Sequence, residues 1–292
     1  TIYDKKTFEP LYSNYLRKQL ALKDIYEIAQ RITNKYRSDG YILSKAIVPQ
    51  QKIKNGVVYL RIVEGFIDKI KIQGPVRGPR KLVDHYRKKI LKSRPLRAFD
   101  LERYLLLIDD LPGVTAKSVL TPSEDIPNAT TMTLILSDKA FEGHVGTDNR
   151  GSKFNGPYQF SGDLTANSLF GNHSRSGLQG VLTSQTEELL FLNAFWDIPL
   201  YQEGTRLFFS GSLSNSEPGS SLKKFNINGD SKTITLRLTH PFIRSRGKNL
   251  TGHLGLTGRN SSTKILGSLD SEDRLRVLDM GVSYDFADQY KG

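Results

Sequence analysis

Thr233-Ile-Thr-Leu-Arg-Leu-Thr239 decides the fold class, because its polar and apolar side chains alternate without a break. Successive side chains of a β-strand point to opposite faces. Ile234, Leu236 and Leu238 would therefore lie on one face, with the threonines and Arg237 on the other. Such a strand separates an apolar environment from a wet one.

The same alternation recurs about eight times between Phe141 and Gly292. In one copy, Leu192 and Trp196 oppose Asn193 and Asp197. Segments of roughly ten residues with alternating hydrophobicity, divided by Gly, Asn and Ser-rich turns, are typical of a transmembrane antiparallel β-barrel. A soluble β-sandwich also alternates, with one face in its core, and it is the alternative that the pattern leaves open.

Because alternate residues of a strand share a face, acidic, basic and histidine side chains are predicted on the polar face of these strands. We predict that they line a pore, since mixed charges give a wet and weakly selective wall along which an extended polypeptide can pass. The alternative is that they pair with one another and hold the wall together. The predicted pore-lining residues are Glu142, His144, Asp148, Arg150, Asp163, Asp197, Arg206, Arg237, His253, Asp279 and Asp285.

Residues 1–138 predict a different, α+β architecture of two related modules. Residues 1–65 indicate two helices followed by strands at 41–48 and 57–63. Residues 66–138 repeat that order behind an added first strand, so the first copy lacks its opening strand. The second copy is predicted to have strands at 66–72, 114–121 and 130–137 and helices at 80–92 and 100–110. The predicted domains are therefore residues 1–65, 66–138 and 139–292.

The formal net charge of +12 is concentrated in these modules. Residues 69–97 contain eleven basic side chains and one acidic side chain, Asp84. Such a patch suits phosphates, anionic lipid headgroups or an acidic polypeptide, and the alternative is a solvated helix face. No aromatic interleaving or DNA-reading motif accompanies it, so we expect no nucleic acid partner.

No sequence motif indicates an enzyme. The chain has no cysteine, which excludes disulfides and thiolate metal sites. Its five histidines lack metal-ligand spacing, and there is no Gly-x-Ser-x-Gly elbow. We predict no catalytic residues, no cofactor, no metal and no small-molecule substrate.

The first module resembles the end of a POTRA domain of the two-partner secretion transporters, which belong to the Omp85 superfamily. The resemblance rests on Tyr41-Ile-Leu-Ser-Lys-Ala46, Pro49-Gln50, Asn55-Gly56 and Ile62-Val-Glu-Gly65. The second module resembles the next POTRA domain in Leu101-Glu-Arg103 and Asp109-Asp-Leu-Pro-Gly-Val114. The strand region resembles the family's first periplasmic turns in Ile198-Pro-Leu200, Gly204-Thr-Arg-Leu207 and His240-Pro-Phe-Ile-Arg-Ser-Arg246.

This resemblance implies a monomeric outer-membrane pore whose periplasmic POTRA domains capture an unfolded secreted protein, such as an adhesin, haemolysin or toxin. The chain would then be cut at both ends and hold the amino-terminal half of the barrel, surrounded by lipid. The wider superfamily suggests an assembly factor for outer-membrane proteins as the alternative. A soluble β-sandwich binding protein is the second alternative.

Client capture is expected at an open sheet edge, where an unfolded chain can add a strand by backbone hydrogen bonds. In the second module we predict that Lys117, Ser118, Val119 and Leu120 form this edge beside the helix residues Tyr104 and Leu107. The basic side chains of the preceding helix are predicted to assist. These are Arg87, Lys88, Lys89 and Lys92.

Overall fold

The computed structural model describes residues 1–75, 78, 80–200 and 202–287, and divides them into two compact units. The first unit comprises residues 1–74, 83–108 and 116–136. The second comprises the described residues of 75–82, 109–115 and 137–292. Arg77 of the basic stretch and the terminal Gly292 lie outside the described residues.

In the first module, helices α1 (Lys5–Tyr12) and α2 (Leu22–Ser38) cover a two-stranded antiparallel sheet, β1 (Lys45–Ile47) and β2 (Arg61–Val63). Apolar residues of α2 recur at helical spacing and are buried, with Tyr36 fully enclosed. The Asp24 carboxylate caps the helix by accepting the Ala21 N–H at 2.8 Å. No helix among the described residues is long and apolar enough to span a membrane.

Both strands of this sheet are shorter than predicted, because a side chain replaces part of the ladder. The Gln51 amide donates to the Tyr59 carbonyl and accepts the Tyr59 N–H, each at 2.8 Å. These two bonds satisfy the Tyr59 backbone without a strand partner. Residues 48–60 therefore form a loop, apart from an isolated Lys54–Val57 bridge.

The second module follows the predicted order. Strand β3 (Ile67–Gln73) is followed by helices α3 (Arg80–Lys92) and α4 (Ala98–Asp109) and then by strands β4 (Val114–Pro122) and β5 (Thr130–Asp138). The sheet order is β3-β5-β4, with β3 and β5 parallel. Its core includes the fully buried Ile90, Ile108, Met132 and Leu134.

Two backbone hydrogen bonds join the modules within the first unit. The Leu96 N–H donates to the Gly65 carbonyl at 2.9 Å, and the Ala98 N–H donates to the Gly40 carbonyl at 2.7 Å. The Leu96 side chain is fully buried.

The second unit contains a single antiparallel sheet of eight strands, each paired with its neighbours in sequence. Within the described residues, β6 and β13 are its two open edges. The strands are β6 (Phe141–Asp148), β7 (Gln159–Asn167), β8 (Arg175–Thr183), β9 (Leu190–Pro199), β10 (Arg206–Ser216), β11 (Asn228–Arg244), β12 (Lys248–Ile265) and β13 (Ser268–Phe286).

The register confirms that the apolar positions share one face. A single row crosses five strands, and its members are Trp196, Phe209, Leu236, Leu256 and Leu278. This outer face is exposed: Leu278 is 61% accessible and Met280 75%. A sandwich would cover such a face with a second sheet, and the described part of this unit contains only one. The fold is the predicted α+β region followed by part of an antiparallel barrel wall, and the sandwich alternative is wrong.

Candidate functional site

The opposite, inner face of the sheet carries ten of the eleven predicted pore-lining residues. Cross-strand register aligns His144 with Asp163 in one row, and Asp197, Arg237 and Asp279 in another. Arg206 and His253 occupy the adjacent row. The structure therefore brings these groups together on one surface, as their parity predicts.

Arg150 is the exception. Strand β6 ends at Asp148, and the Arg150 N–H donates to the Asp148 carboxylate at 2.9 Å. This local bond caps the strand end and turns the chain into the β6–β7 loop. Arg150 therefore lies outside the strand, where strand parity does not apply, and its assignment to the pore lining stays a prediction.

Several of the inner-face charges form pairs. Arg206 Nε lies 2.9 Å from Asp197 Oδ1, and their side chains are only 22% and 15% exposed. Asp279 Oδ2 lies 3.3 Å from His253 Nε2 and 3.8 Å from Arg237 Nη2. Opposite charges on neighbouring strands are thus partly paired. The inner face therefore carries both ion pairs and exposed charged side chains.

The remaining inner-face carboxylates lie towards the ends of their strands. Glu142 accepts a hydrogen bond from the Asn167 amide at 3.2 Å, while Asp148 ends β6. Asp285 stands opposite Asn249 near the end of β13. His144, the most exposed of the paired groups, lies 3.5 Å from Asp163.

The inner face also carries an aromatic cluster that the sequence analysis did not identify. Phe195 and Phe208 stack with their ring centroids 6.0 Å apart, and the Arg175 guanidinium lies 5.7 Å from the Phe195 ring. Gly177 leaves the space that the Phe195 ring occupies, since a Cβ there would lie 2.4 Å from it. In the sequence, Phe195 is an apolar residue at a polar-face position between two apolar neighbours. This break in the alternation was the signal that could have identified the cluster.

In the first unit, β4 forms an edge of the three-stranded sheet, as predicted. Lys117, Ser118, Val119 and Leu120 are all exposed, with Val119 49% and Leu120 39% accessible. These four residues lie in an exposed part of the nine-residue edge strand. Such an edge can accept another chain through its free N–H and C=O groups.

Tyr104 and Leu107 do not contribute an open surface beside that edge. They are 9% and 3% exposed, and Tyr104 stacks on Tyr86 at 6.0 Å. Both lie on the buried face of α4, where they fill the module core. Their assignment as direct contacts for a client is therefore corrected, because the helical stripe that suggested them faces inward.

The basic side chains of α3 are partly engaged. Arg87 Nε lies 3.3 Å from Asp84 Oδ1, and the Lys89 ammonium lies 5.9 Å from the Tyr104 ring centre. Lys88 and Lys92 are exposed. Lys88 and Lys92 are therefore the two exposed members of the four basic residues that were predicted to assist client capture.

Asp68 of β3 links the strands next to the β4 edge. The Ser123 and Thr131 hydroxyls donate to its carboxylate at 2.5 and 3.1 Å. Burial raises the pKa of this carboxyl, but the hydrogen bonds from Ser123, Thr131 and the backbone outweigh it and hold the pKa below its usual value. The ionised form of Asp68 is therefore part of the fold.

Residues of the turn motifs make structural contacts within the second unit. Arg244 forms a bidentate pair with Asp110, with both N···O distances at 2.7 Å. His240 Nδ1 lies 2.8 Å from the Thr205 hydroxyl, which links β11 to the turn before β10. The planar, bidentate pairing of Arg244 with Asp110 fixes the relative orientation of the two side chains as well as their distance.

Comparison with known proteins supports the same picture. The model of the POTRA domain, ShlB-type, matches residues 1–65. The heme/hemopexin transporter protein HuxB of Haemophilus influenzae is 26% identical over 257 residues, which cover 87% of this chain and 45% of HuxB. The outer membrane transporter CdiB of Dickeya dadantii is 25% identical over 292 residues, covering 97% of this chain and 51% of CdiB. The chain thus spans about half the length of these curated relatives.

Solved structures show the same fold. CdiB from Escherichia coli superposes with a TM-score of 0.76 at 21% identity, covering 99% of this chain and 55% of that protein. CdiB from Acinetobacter baumannii gives a TM-score of 0.60 at 15% identity. The model of the haemolysin secretion/activation protein ShlB/FhaC/HecB matches residues 136–289, more than half of the chain. The chain therefore belongs to the ShlB/FhaC/HecB family of haemolysin secretion/activation proteins, whose barrel lies in the bacterial outer membrane and whose POTRA region lies in the periplasm.

Proposed function

We propose that the protein is the translocation pore of a two-partner secretion system. Its POTRA region captures an unfolded secreted partner in the periplasm, and its barrel passes that partner to the cell surface. The observation that carries the proposal is the family match over residues 136–289, on a sheet with an apolar outer face and a charged inner face. The secreted partner is an adhesin, haemolysin or toxin.

The inner face suits the passage of an unfolded polypeptide because its charges alternate in sign and partly neutralise each other. The Arg206–Asp197 pair and the His253–Asp279–Arg237 group leave no continuous surface of one sign. A client of either charge would meet local attraction and repulsion in turn, so it would not be retained. Phe195 and Phe208 add one apolar contact point on that path.

Client capture is assigned to the β4 edge, with the basic face of α3 as an electrostatic aid. The backbone of Lys117, Ser118, Val119 and Leu120 would pair with an extended segment of the client, and this pairing is independent of client sequence. Lys88 and Lys92 would increase the encounter rate with acidic segments. The barrel acts as a monomer in lipid, and transport proceeds without an enzymatic step, driven by folding of the client outside the cell.

A single experiment tests the secretion pore against its alternatives. The protein is reconstituted in planar bilayers, and conductance is recorded with and without the amino-terminal segment of its secreted partner. We expect channels that this segment blocks or modulates, since a dedicated pore must bind its client. An assembly factor or a general porin would give channels indifferent to the segment. Absence of channels from a protein that inserts into membranes would contradict both pore hypotheses.

The β4 edge is tested by adjacent proline substitutions. Consecutive N–H groups of a strand point in opposite directions, so one of Ser118→Pro and Val119→Pro removes a donor from the open edge and the other removes a donor from the sheet. The open-edge variant is expected to keep its thermal midpoint and lose client binding. The sheet variant is expected to unfold at lower temperature. Full client binding by both variants at unchanged stability would exclude β4 as the capture site.

A further inference from the structure

Three cations stand on the outer, apolar face of the sheet, where lipid rather than water would be expected. Lys232 of β11 faces Asn260, which faces Arg274 of β13, so these residues form one row. The next row towards the centre of the sheet contains Ile234, Gly258 and Arg276. Below it lies the wholly apolar row of Leu236, Leu256 and Leu278. The cations therefore border the apolar band directly.

The direction of the strands places this border at the outer leaflet. The chain enters β6 from the periplasmic modules, and eight antiparallel strands alternate in direction. β11 and β13 thus begin at the extracellular end, where Lys232, Arg274 and Arg276 lie within nine residues of their strand starts. Arg276 is two residues from Leu278, about 7 Å along the strand.

The local contacts leave these cations available. All three are exposed. Among the described residues, no carboxylate lies within ion-pair distance of Lys232 or Arg276, and Arg276 donates from Nη1 to the carbonyls of Arg259 and Leu275. Arg274 pairs with Glu272 at 2.8 Å, but that pair is 70% and 45% exposed, so it exchanges readily with another anion.

The inner face treats its cations differently. There, Arg206 and Arg237 contact Asp197 and Asp279, so these two positive charges each have a carboxylate partner. On the outer face, the acidic residues Asp230 and Glu272 lie in the row beyond the cations, further from the apolar band. Cations that lie between lipid-facing leucines and a polar rim are positioned to bind an anionic group at the level of the lipid headgroups.

We propose that Lys232, Arg274 and Arg276 form a binding site for the phosphate groups of outer-leaflet lipid. Guanidinium groups pair with phosphate through two parallel hydrogen bonds, and the lysine adds a point charge. Arg274 and Arg276 lie roughly 7 Å apart on one strand, and Lys232 lies two strands away, at roughly 10 Å. Their long side chains can therefore converge on one phosphorylated headgroup whose acyl chains lie against Ile234 and Leu278. The site is independent of transport.

The test compares two variants that each lose three positive charges. In the first, Lys232→Gln, Arg274→Gln and Arg276→Gln are combined. The control combines Lys153→Gln, Lys223→Gln and Lys224→Gln in the loops between strands. The protein in detergent micelles is titrated with diphosphoryl lipid A, and bound lipid is counted by native mass spectrometry. Resistance of the barrel to SDS without heating confirms that each variant is folded.

We expect the outer-face variant to bind lipid A on the order of tenfold to a hundredfold more weakly. The control is expected to stay within about twofold, because its three lysines lie outside the strands that carry the apolar rows. Dephosphorylated lipid A should bind both proteins equally, and inorganic phosphate at equal concentration should not displace the lipid. Unchanged binding by the outer-face variant, equal loss by the control, or displacement by inorganic phosphate would each overturn the proposal. If the triple variant does not fold, the single variant Arg276→Gln is measured under the same criteria.

Discussion

The α+β modules and the eight-stranded sheet use the same alternating leucines in opposite environments. Leu134 of β5 is fully buried, whereas Leu278 of β13 is 61% exposed, although each lies in a strand whose successive side chains point to opposite faces. In the modules, helices cover the apolar face and provide the core. In the sheet, the same face is left for lipid. The residue pattern of a strand therefore determines that it has two different faces. The elements packed against the strand determine whether each face contacts protein, lipid or water.

The largest expected effect lies in the module core. Leu134→Ala should lower the free energy of unfolding of the first unit by about 2–5 kcal/mol, because it removes a buried side chain and leaves a cavity. Chemical unfolding followed by near-ultraviolet circular dichroism would measure it. The neighbouring Ile135, 41% exposed on the other face of β5, provides the control. Ile135→Ala should cost less than about 1 kcal/mol, and an equal loss at both positions would mean that the two faces are not distinct.

The corresponding test in the sheet uses charge instead of volume. Leu236→Arg places a cation on the lipid face, and at mid-bilayer depth this costs about 2–4 kcal/mol. Thr235→Arg places the same charge one residue away on the inner face, beside the Thr257 hydroxyl. We expect the first variant to insert poorly into membranes and the second to insert normally, as measured by heat-modifiable mobility on gels. Similar insertion of both variants would contradict the face assignment.

The smallest effect concerns acid sensitivity, which the modules should show through Asp68. Its folded pKa lies below its usual value, so its contribution to stability is present above about pH 4 and is lost as the pH falls through the folded pKa. Asp68→Asn should cost about 0.5–1.5 kcal/mol at pH 7, and this difference should vanish at low pH. Thermal unfolding of the first unit at pH 7, 5 and 3 would measure it.

Asp125→Asn is the control for this experiment. Asp125 pairs with Lys69 at 3.4 Å, but their side chains are 67% and 54% exposed, so the pair should contribute little. Its removal should leave the pH profile unchanged. A profile for Asp68→Asn that parallels the wild type down to pH 3 would mean that the hydroxyl bonds of Ser123 and Thr131 do not favour the ionised carboxylate.

The sequence predicted the helices of the second module to within two residues at each end, and this success has a physical basis. Leu101, Tyr104 and Ile108 recur at helical spacing, and Pro112-Gly113 cannot continue the helix. The strands of the first module were predicted too long because their end depends on Gln51, a side chain that binds Tyr59 eight residues away. The strand propensity of a local segment gives no information about that hydrogen bond.

For the candidate site, the sequence alone determined the face of each strand residue, because strand side chains have a fixed period of two. It did not determine which charges pair. Asp279 meets both Arg237 and His253 only because the register of three strands sets them side by side. Burial of Tyr104 and Leu107, and stacking of Phe195 on Phe208, likewise depend on neighbours distant in sequence. Periodicity is a property of one segment, whereas register and burial arise only when segments pack.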